Sequence, residues 1–201
     1  MRIAIIDTET GGLDERRHGL TQVAAIDGSL YIKDGCVCFG TTSTFHEFIY
    51  PDPTFEYEQE ALDYQGVSLE YLKEYGGNIV GMLARLSLFM EPIARLGPGR
   101  IWAQEDTFDF RFIQSAMLYN MEFGNNDQSY YDWAGIKNLH RGREWDRSNW
   151  QCSKRLARLC KSLGLLNSKG DSLESVCKAF GISRPAFSEP KPIQDCWMTG
   201  Q

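Results

Sequence analysis

The stretch Arg2-Ile3-Ala4-Ile5-Ile6-Asp7-Thr8-Glu9-Thr10-Gly11-Gly12-Leu13 limits what this chain can become more than any other. Four apolar residues in a row, Ile3 to Ile6, predict a short strand buried on both faces. The run ends in Asp7 and Glu9, and the strand period of two sends both carboxylates to one side. Gly11 and Gly12 then break the strand and let the backbone come close to a ligand. Two like charges held this close repel unless a cation sits between them. Two readings stand on this pattern alone: a metal site, or an ordinary solvated strand end.

Composition narrows the setting. The chain has 201 residues, 42% hydrophobic and 24% charged, which suits one globular domain over 1–201 with a sizeable core. No apolar run is long enough to span a bilayer, and no N-terminal segment resembles a signal peptide. The six cysteines are scattered without a C-x-x-C pair, which argues against zinc and predicts reduced thiols in a cytoplasm. A formal net charge of -6 gives no overall pull on nucleic acid, so such a substrate requires metal ions and local basic groups.

Beyond the first strand, Leu20 to Ile26, Ser29 to Val37 and Phe45 to Ile49 read as further strands. Asp27-Gly28 and Asp34-Gly35 are turn signals between them, so a mainly antiparallel meander is expected. Helical patterns follow: one around Glu60-Ala61-Leu62 stopped by Gly66, one capped by Ser68, and one from Ile79 to Leu96 containing Pro92. Ile101-Trp102-Ala103 reads as a short buried strand, and Thr107 as the cap of a helix over about 108–118. Residues 119–149 have weak periodicity and predict a long insertion, with a basic and aromatic stretch from Trp133 to Trp150 suited to nucleic-acid contact or to a solvated loop. An amphipathic helix from Ser153 to Leu163 and another capped by Ser172 complete the pattern. His18 and His46 read as ordinary polar residues. Strands first and helices later, with one late parallel strand, predict an α/β or α+β sheet covered by helices.

Two later carboxylates, Asp109 at a helix start and Asp195 near the C-terminus, are weak signals singly. With the first strand they form a pattern. Ile5-Ile6-Asp7-Thr8-Glu9-Thr10-Gly11-Gly12-Leu13, then Trp102-Ala103 with Phe108-Asp109, then Asp195-Cys196, resemble the three motifs of the DnaQ-like (DEDD) 3′→5′ exonucleases. Segments between the motifs fit as well, and only residues 119–149 lie outside the resemblance. It implies an RNase H-like α/β fold, an antiparallel meander plus parallel strands covered by helices. It further implies that Asp7, Glu9, Asp109 and Asp195 hold two Mg²⁺ or Mn²⁺ ions. Hard carboxylate oxygens suit those ions, and a two-ion site activates water and stabilises the leaving 3′ oxygen. The implied partner is nucleic acid with a free 3′ end, touched by Thr10, Gly11, Gly12, Leu13 and Phe108.

The sequence also departs from that family. Gln104-Glu105-Asp106 stands where His-Asn-Ala is usual, putting two extra acids beside the site to recruit a cation or repel phosphate. The third-motif base is replaced too: Pro190 occupies the position of one branch's His, and Lys191 that of another's Tyr. Pro190 and Pro192 also oppose the helix expected there. Only residues 196–201 follow Asp195, a shorter end than the family's final helix. Three readings remain open at this stage. Glu189, Lys191 or His140 serves as the base; or metal-activated water reacts slowly without one; or the chain is a pseudo-nuclease that binds a nucleic-acid end or a protein.

Overall fold

A computed structural model describes residues 1–34, 36–123, 145–164, 166–170, 172–179, 192 and 194–196. The first strand is β1 (Arg2–Thr10), followed by β2 (Leu20–Lys33) and β3 (Cys36–Phe48). Three helices come next: α1 (Gln59–Gln65), α2 (Leu69–Tyr75) and α3 (Ile79–Ala94). Then follow β4 (Ile101–Ala103), α4 (Asp106–Phe123), a 3₁₀ turn (Arg147–Asn149), β5 (Trp150–Cys152), α5 (Ser153–Ser162) and α6 (Leu173–Ala179). The strands form one five-stranded sheet in the order β3-β2-β1-β4-β5. β1, β2 and β3 pair antiparallel, whereas β4 and β5 run parallel to β1. This is the mixed, helix-flanked sheet of the RNase H-like fold. No helix among the described residues is long and apolar enough to cross a membrane.

Period-two alternation sorts β1 between two cores. Ile6 joins Val23, Ala25 and Ile101 on the face covered by α3 and α4, where Met82, Leu83, Leu86, Met90 and Ile113 are fully buried. Ile3 and Ile5 join Ala24, Ile26 and Phe39 on the other face, against Cys196. A central strand buried on both faces is what the continuous Ile3–Ile6 run requires.

Local chemistry fixes the element ends. The Ser68 hydroxyl accepts from the Tyr71 amide at 3.1 Å and starts α2, while Gly66 ends α1 at φ 72°. Asn78 caps α3 by accepting from Val80 and Gly81, and this helix continues through Pro92 to Ala94. Ser172 accepts from the Ser175 amide and opens α6.

Several expectations change. β2 does not turn at Asp27-Gly28 but continues to Lys33, with a register shift between Asp27 and Gly28. Arg2 explains this, because its guanidinium holds both Asp27 oxygens at 2.9 and 2.7 Å and keeps that carboxylate within the sheet. Gly28 fits there because a Cβ would stand 2.3 Å from the Phe39 ring. The Asp34 turn, at φ 52°, does connect β2 to β3.

α4 begins at Asp106, so Thr107 lies inside it rather than capping it, and it extends to Phe123. Residues 119–123 of the expected insertion thus belong to α4; Trp145 and Trp150 are buried, and Trp150 opens β5, a strand absent from the sequence reading. Residues 124–144 lie outside the described residues. Pro192 and residues 194–196 are helical, so proline does not prevent a helical stretch here. α5 forms as expected, yet Leu156, Leu159 and Leu163 on it and at its end are exposed.

Candidate active site at the end of the first strand

Asp7 and Glu9 close β1 on the face opposite α3 and α4. The helical stretch at 194–196 brings Asp195 to them, and one carboxylate oxygen of each of the three lies within 4.8 Å of the others. All three residues are half-buried. Cys196, next in the chain, anchors this stretch: its side chain is fully buried against Ile3, Ile5 and Ile26, with Sγ 3.7 Å from the Ala24 carbonyl oxygen. Burial first, and then the charges of Asp7, Asp109 and Asp195, push the Cys196 thiol well above its usual range. It is therefore a neutral packing group.

Asp109 reaches β1 from the helix-covered side. Its Oδ1 accepts from the Thr8 amide at 3.0 Å and from the Thr8 hydroxyl at 2.8 Å. Only 3% of the residue is exposed, and burial raises its carboxyl to about 7 although both Thr8 donors pull the other way. Three of the four carboxylates thus converge, while the fourth is tied to the strand residue between Asp7 and Glu9. Thr8 was not singled out from the sequence. The same period of two that pairs Asp7 with Glu9 turns Thr8 toward α4.

The expected substrate-contacting turn divides in two. Leu13 is 83% exposed. Thr10 is buried, its hydroxyl donating to the Gly12 carbonyl and its own carbonyl accepting from the Gln65 amide, each at 2.6 Å. The close approach that the two glycines permit is to the chain itself. A Cβ on Gly11 would stand 2.7 Å from the Glu56 carbonyl oxygen, and one on Gly12 would stand 2.6 Å from the His18 ring. Phe108 is half-buried, its ring 4.8 Å from that of Phe112 beside the core.

Glu105 and Asp106 are both matched by cations. Asp106, almost fully buried, pairs with Arg147 and lies 3.7 Å from Arg155. Glu105 pairs with Lys154 at 2.6 Å. These cations come from the 3₁₀ turn and α5, so the chain compensates the extra charge internally. Arg147 also lies 5.6 Å from the centre of the Phe110 ring. It belongs to the basic stretch read as suited to nucleic-acid contact or to a solvated loop; here it pairs with Asp106. Glu189, Lys191 and His140, the candidate bases, lie outside the described residues, as does Pro190.

The fold and this carboxylate cluster define an RNase H-like domain with a hard-oxygen donor set. Among solved structures, the chain is similar to E. coli exonuclease I in complex with a dT13 oligonucleotide, with TM-score 0.68, 17% identity, and coverage of 98% of this chain and 39% of that one. It is likewise similar to product-bound exonuclease I, with TM-score 0.66, 16% identity, and coverage of 98% and 42%. A complex of exonuclease I with the SSB C-terminus matches at TM-score 0.66 and 16% identity, over 98% and 40% of the two chains. The chain therefore spans about two fifths of the length of these proteins. No family model and no curated protein matches the sequence.

Proposed function

We propose that this chain is a single exonuclease-like domain that hydrolyses phosphodiester bonds at nucleic-acid 3′ ends with a divalent metal. The observation that carries the reading is the convergence of Asp7, Glu9 and Asp195 within 4.8 Å. The converging atoms are carboxylate oxygens alone, the donor chemistry that Mg²⁺ or Mn²⁺ takes. In this reading Asp7, Glu9 and Asp195 hold the ions, and Asp109 completes the quartet from α4. When bound, the ions supply Lewis-acid activation of water and stabilisation of the leaving 3′ oxygen. Thr8 fixes the Asp109 carboxylate. Leu13 stands free to wedge against the terminal base, and Thr10, Gly11 and Gly12 shape the turn that presents it. Lys154, Arg147 and Arg155 offset Glu105 and Asp106, which reduces their repulsion of a phosphate backbone. A cytoplasmic setting accords with the free thiols of Cys38, Cys152, Cys160, Cys177 and Cys196.

The test is hydrolysis of 5′-labelled DNA and RNA strands in Mg²⁺, Mn²⁺ or EDTA. Stepwise, metal-dependent shortening from the 3′ end supports the proposal. A second reading, a pseudo-nuclease that binds ends or a protein without cutting, draws on Pro190 and Lys191 standing where a base is expected. A positioned base is worth about 10² to 10⁴ in rate. Binding without cleavage in every metal selects that second reading.

A further inference from the structure

The carboxylate face of the sheet carries a second feature. Asp7 pairs with Ala24 and Ala24 with His46, while Glu9 pairs with Gln22 and Gln22 with Phe48. Directly opposed residues of antiparallel strands point to the same face. His46 and Phe48 therefore share the face of Asp7 and Glu9, two strands away, or about 10 Å at the usual strand spacing. Both are half-buried, and Gln22 links the two regions, its Oε1 lying 3.2 Å from the His46 ring nitrogen. From Phe48 the aromatic surface continues outward. Its ring lies 4.8 Å from His46 and 5.1 Å from Tyr71, which lies 4.7 Å from Tyr75.

The two tyrosines are not what anchors α2. Leu72 makes that contact at 0% exposure, whereas Tyr71 and Tyr75 remain 39% and 59% exposed. A run of half-buried and exposed rings beside an acidic site, edge to face at His46–Phe48 and Phe48–Tyr71, suits stacked bases, since every base has a π-face. We propose that His46, Phe48, Tyr71 and Tyr75 form a stacking platform for a single strand whose 3′ end lies at the carboxylates. The proposal rests on the nuclease reading above. The separation of about 10 Å corresponds to roughly two or three nucleotides at 3.4 Å or more each, so the platform takes bases upstream of the end. α2 carries Glu70 and Glu74 beside Lys73, so the contribution is stacking and not charge.

The experiment measures binding of 5′-labelled oligothymidylates, two to twelve nucleotides long, with Ca²⁺ replacing Mg²⁺. Wild-type affinity is expected to climb with length. Tyr71→Ala with Tyr75→Ala should reduce affinity for the longer strands about 10- to 100-fold, equally at low and high salt. Tyr71→Phe with Tyr75→Phe, which keeps the rings, should restore it, and Tyr75→Ala alone should show part of the loss. Length dependence unchanged in the alanine variants overturns the platform and leaves the nuclease reading intact. A wild type that binds no strand of any length overturns both.

Discussion

Thr8 donates both its amide and its hydroxyl to a single oxygen of Asp109, at 3.0 and 2.8 Å, joining β1 to the first turn of α4 across 101 residues. The carboxyl they hold is buried and raised from 3.8 to about 7. Between these values the folded chain binds a proton that the unfolded chain has released. The stabilising effect of that proton is complete below about pH 4 and is lost as pH rises toward 7. The metal-free protein is therefore expected to melt several degrees lower at pH 8 than at pH 5, a loss on the order of a few kcal/mol. Asp109→Asn should flatten this profile. Calorimetric melting in EDTA across that range checks it; an equally steep profile in the variant would assign the effect to another group.

The same bond pair predicts the behaviour of Thr8→Val, which keeps the shape and removes the hydroxyl. A hydrogen bond to a charged group contributes about 1.5–3 kcal/mol, against about 1 for a neutral one. The substitution should therefore destabilise more at pH 8, where Asp109 is ionised, than at pH 5. Denaturant titration at both values measures the difference. Equal losses would mean that the hydroxyl acts only by packing.

What could be read from the sequence, and what could not, follows from the range of the interactions. Asp7 and Glu9 were legible because one strand fixes their shared side, and Ser68 and Gly66 because caps and stops are local. Asp27-Gly28 misled because its partner Arg2 is 25 residues away and converts a turn signal into a strand. The Asp106 pairing was hidden for the same reason, since Arg147 and Arg155 stand 41 and 49 positions further on. β5 spans only three residues and takes its stability from pairing with β4, so no periodicity announces it. The glycines were legible as glycines, but their close approach to Glu56 and His18 was not.

That close approach is itself testable. Gly12→Ala places a methyl 2.6 Å from the His18 ring, which is 4% exposed and accepts from the Asp14 amide at 3.0 Å. The ring has little room to move, so the variant should lose about 1–3 kcal/mol without any substrate. Adding His18→Ala should return part of that loss. If Gly12→Ala melts like the wild type and only nucleic-acid binding suffers, the glycine serves the ligand rather than the fold.

The carboxylate cluster predicts metal affinity directly. Calorimetric titration with Mn²⁺ should show weaker binding in Asp7→Asn and in Asp195→Asn, because each removes a charged oxygen donor from the converging set. Both variants should also melt as high as the wild type without metal, or higher, because each relieves repulsion among like charges. Binding that persists undiminished in both would place the ion elsewhere.

Arg147 and Asp106 supply the last prediction. Asp106 is 1% exposed, and its near neighbours include Arg147, Arg155 and the Thr107 hydroxyl, the last at 3.3 Å. Arg147→Ala strips the nearer cation from a buried carboxylate. A fully buried pair broken on one side costs about 3–5 kcal/mol. Here Arg155 at 3.7 Å remains and solvent reaches the Arg147 side chain, so the loss should fall below that range. Asp106→Asn with Arg147→Ala leaves no buried ionised group there, since Arg155 is exposed, and should be milder than Arg147→Ala alone. Comparing the two single variants with the double variant by denaturant melting isolates the coupling. Additive losses would reduce Arg147 to a surface cation over the Phe110 ring and return it to the set available for contacting nucleic acid.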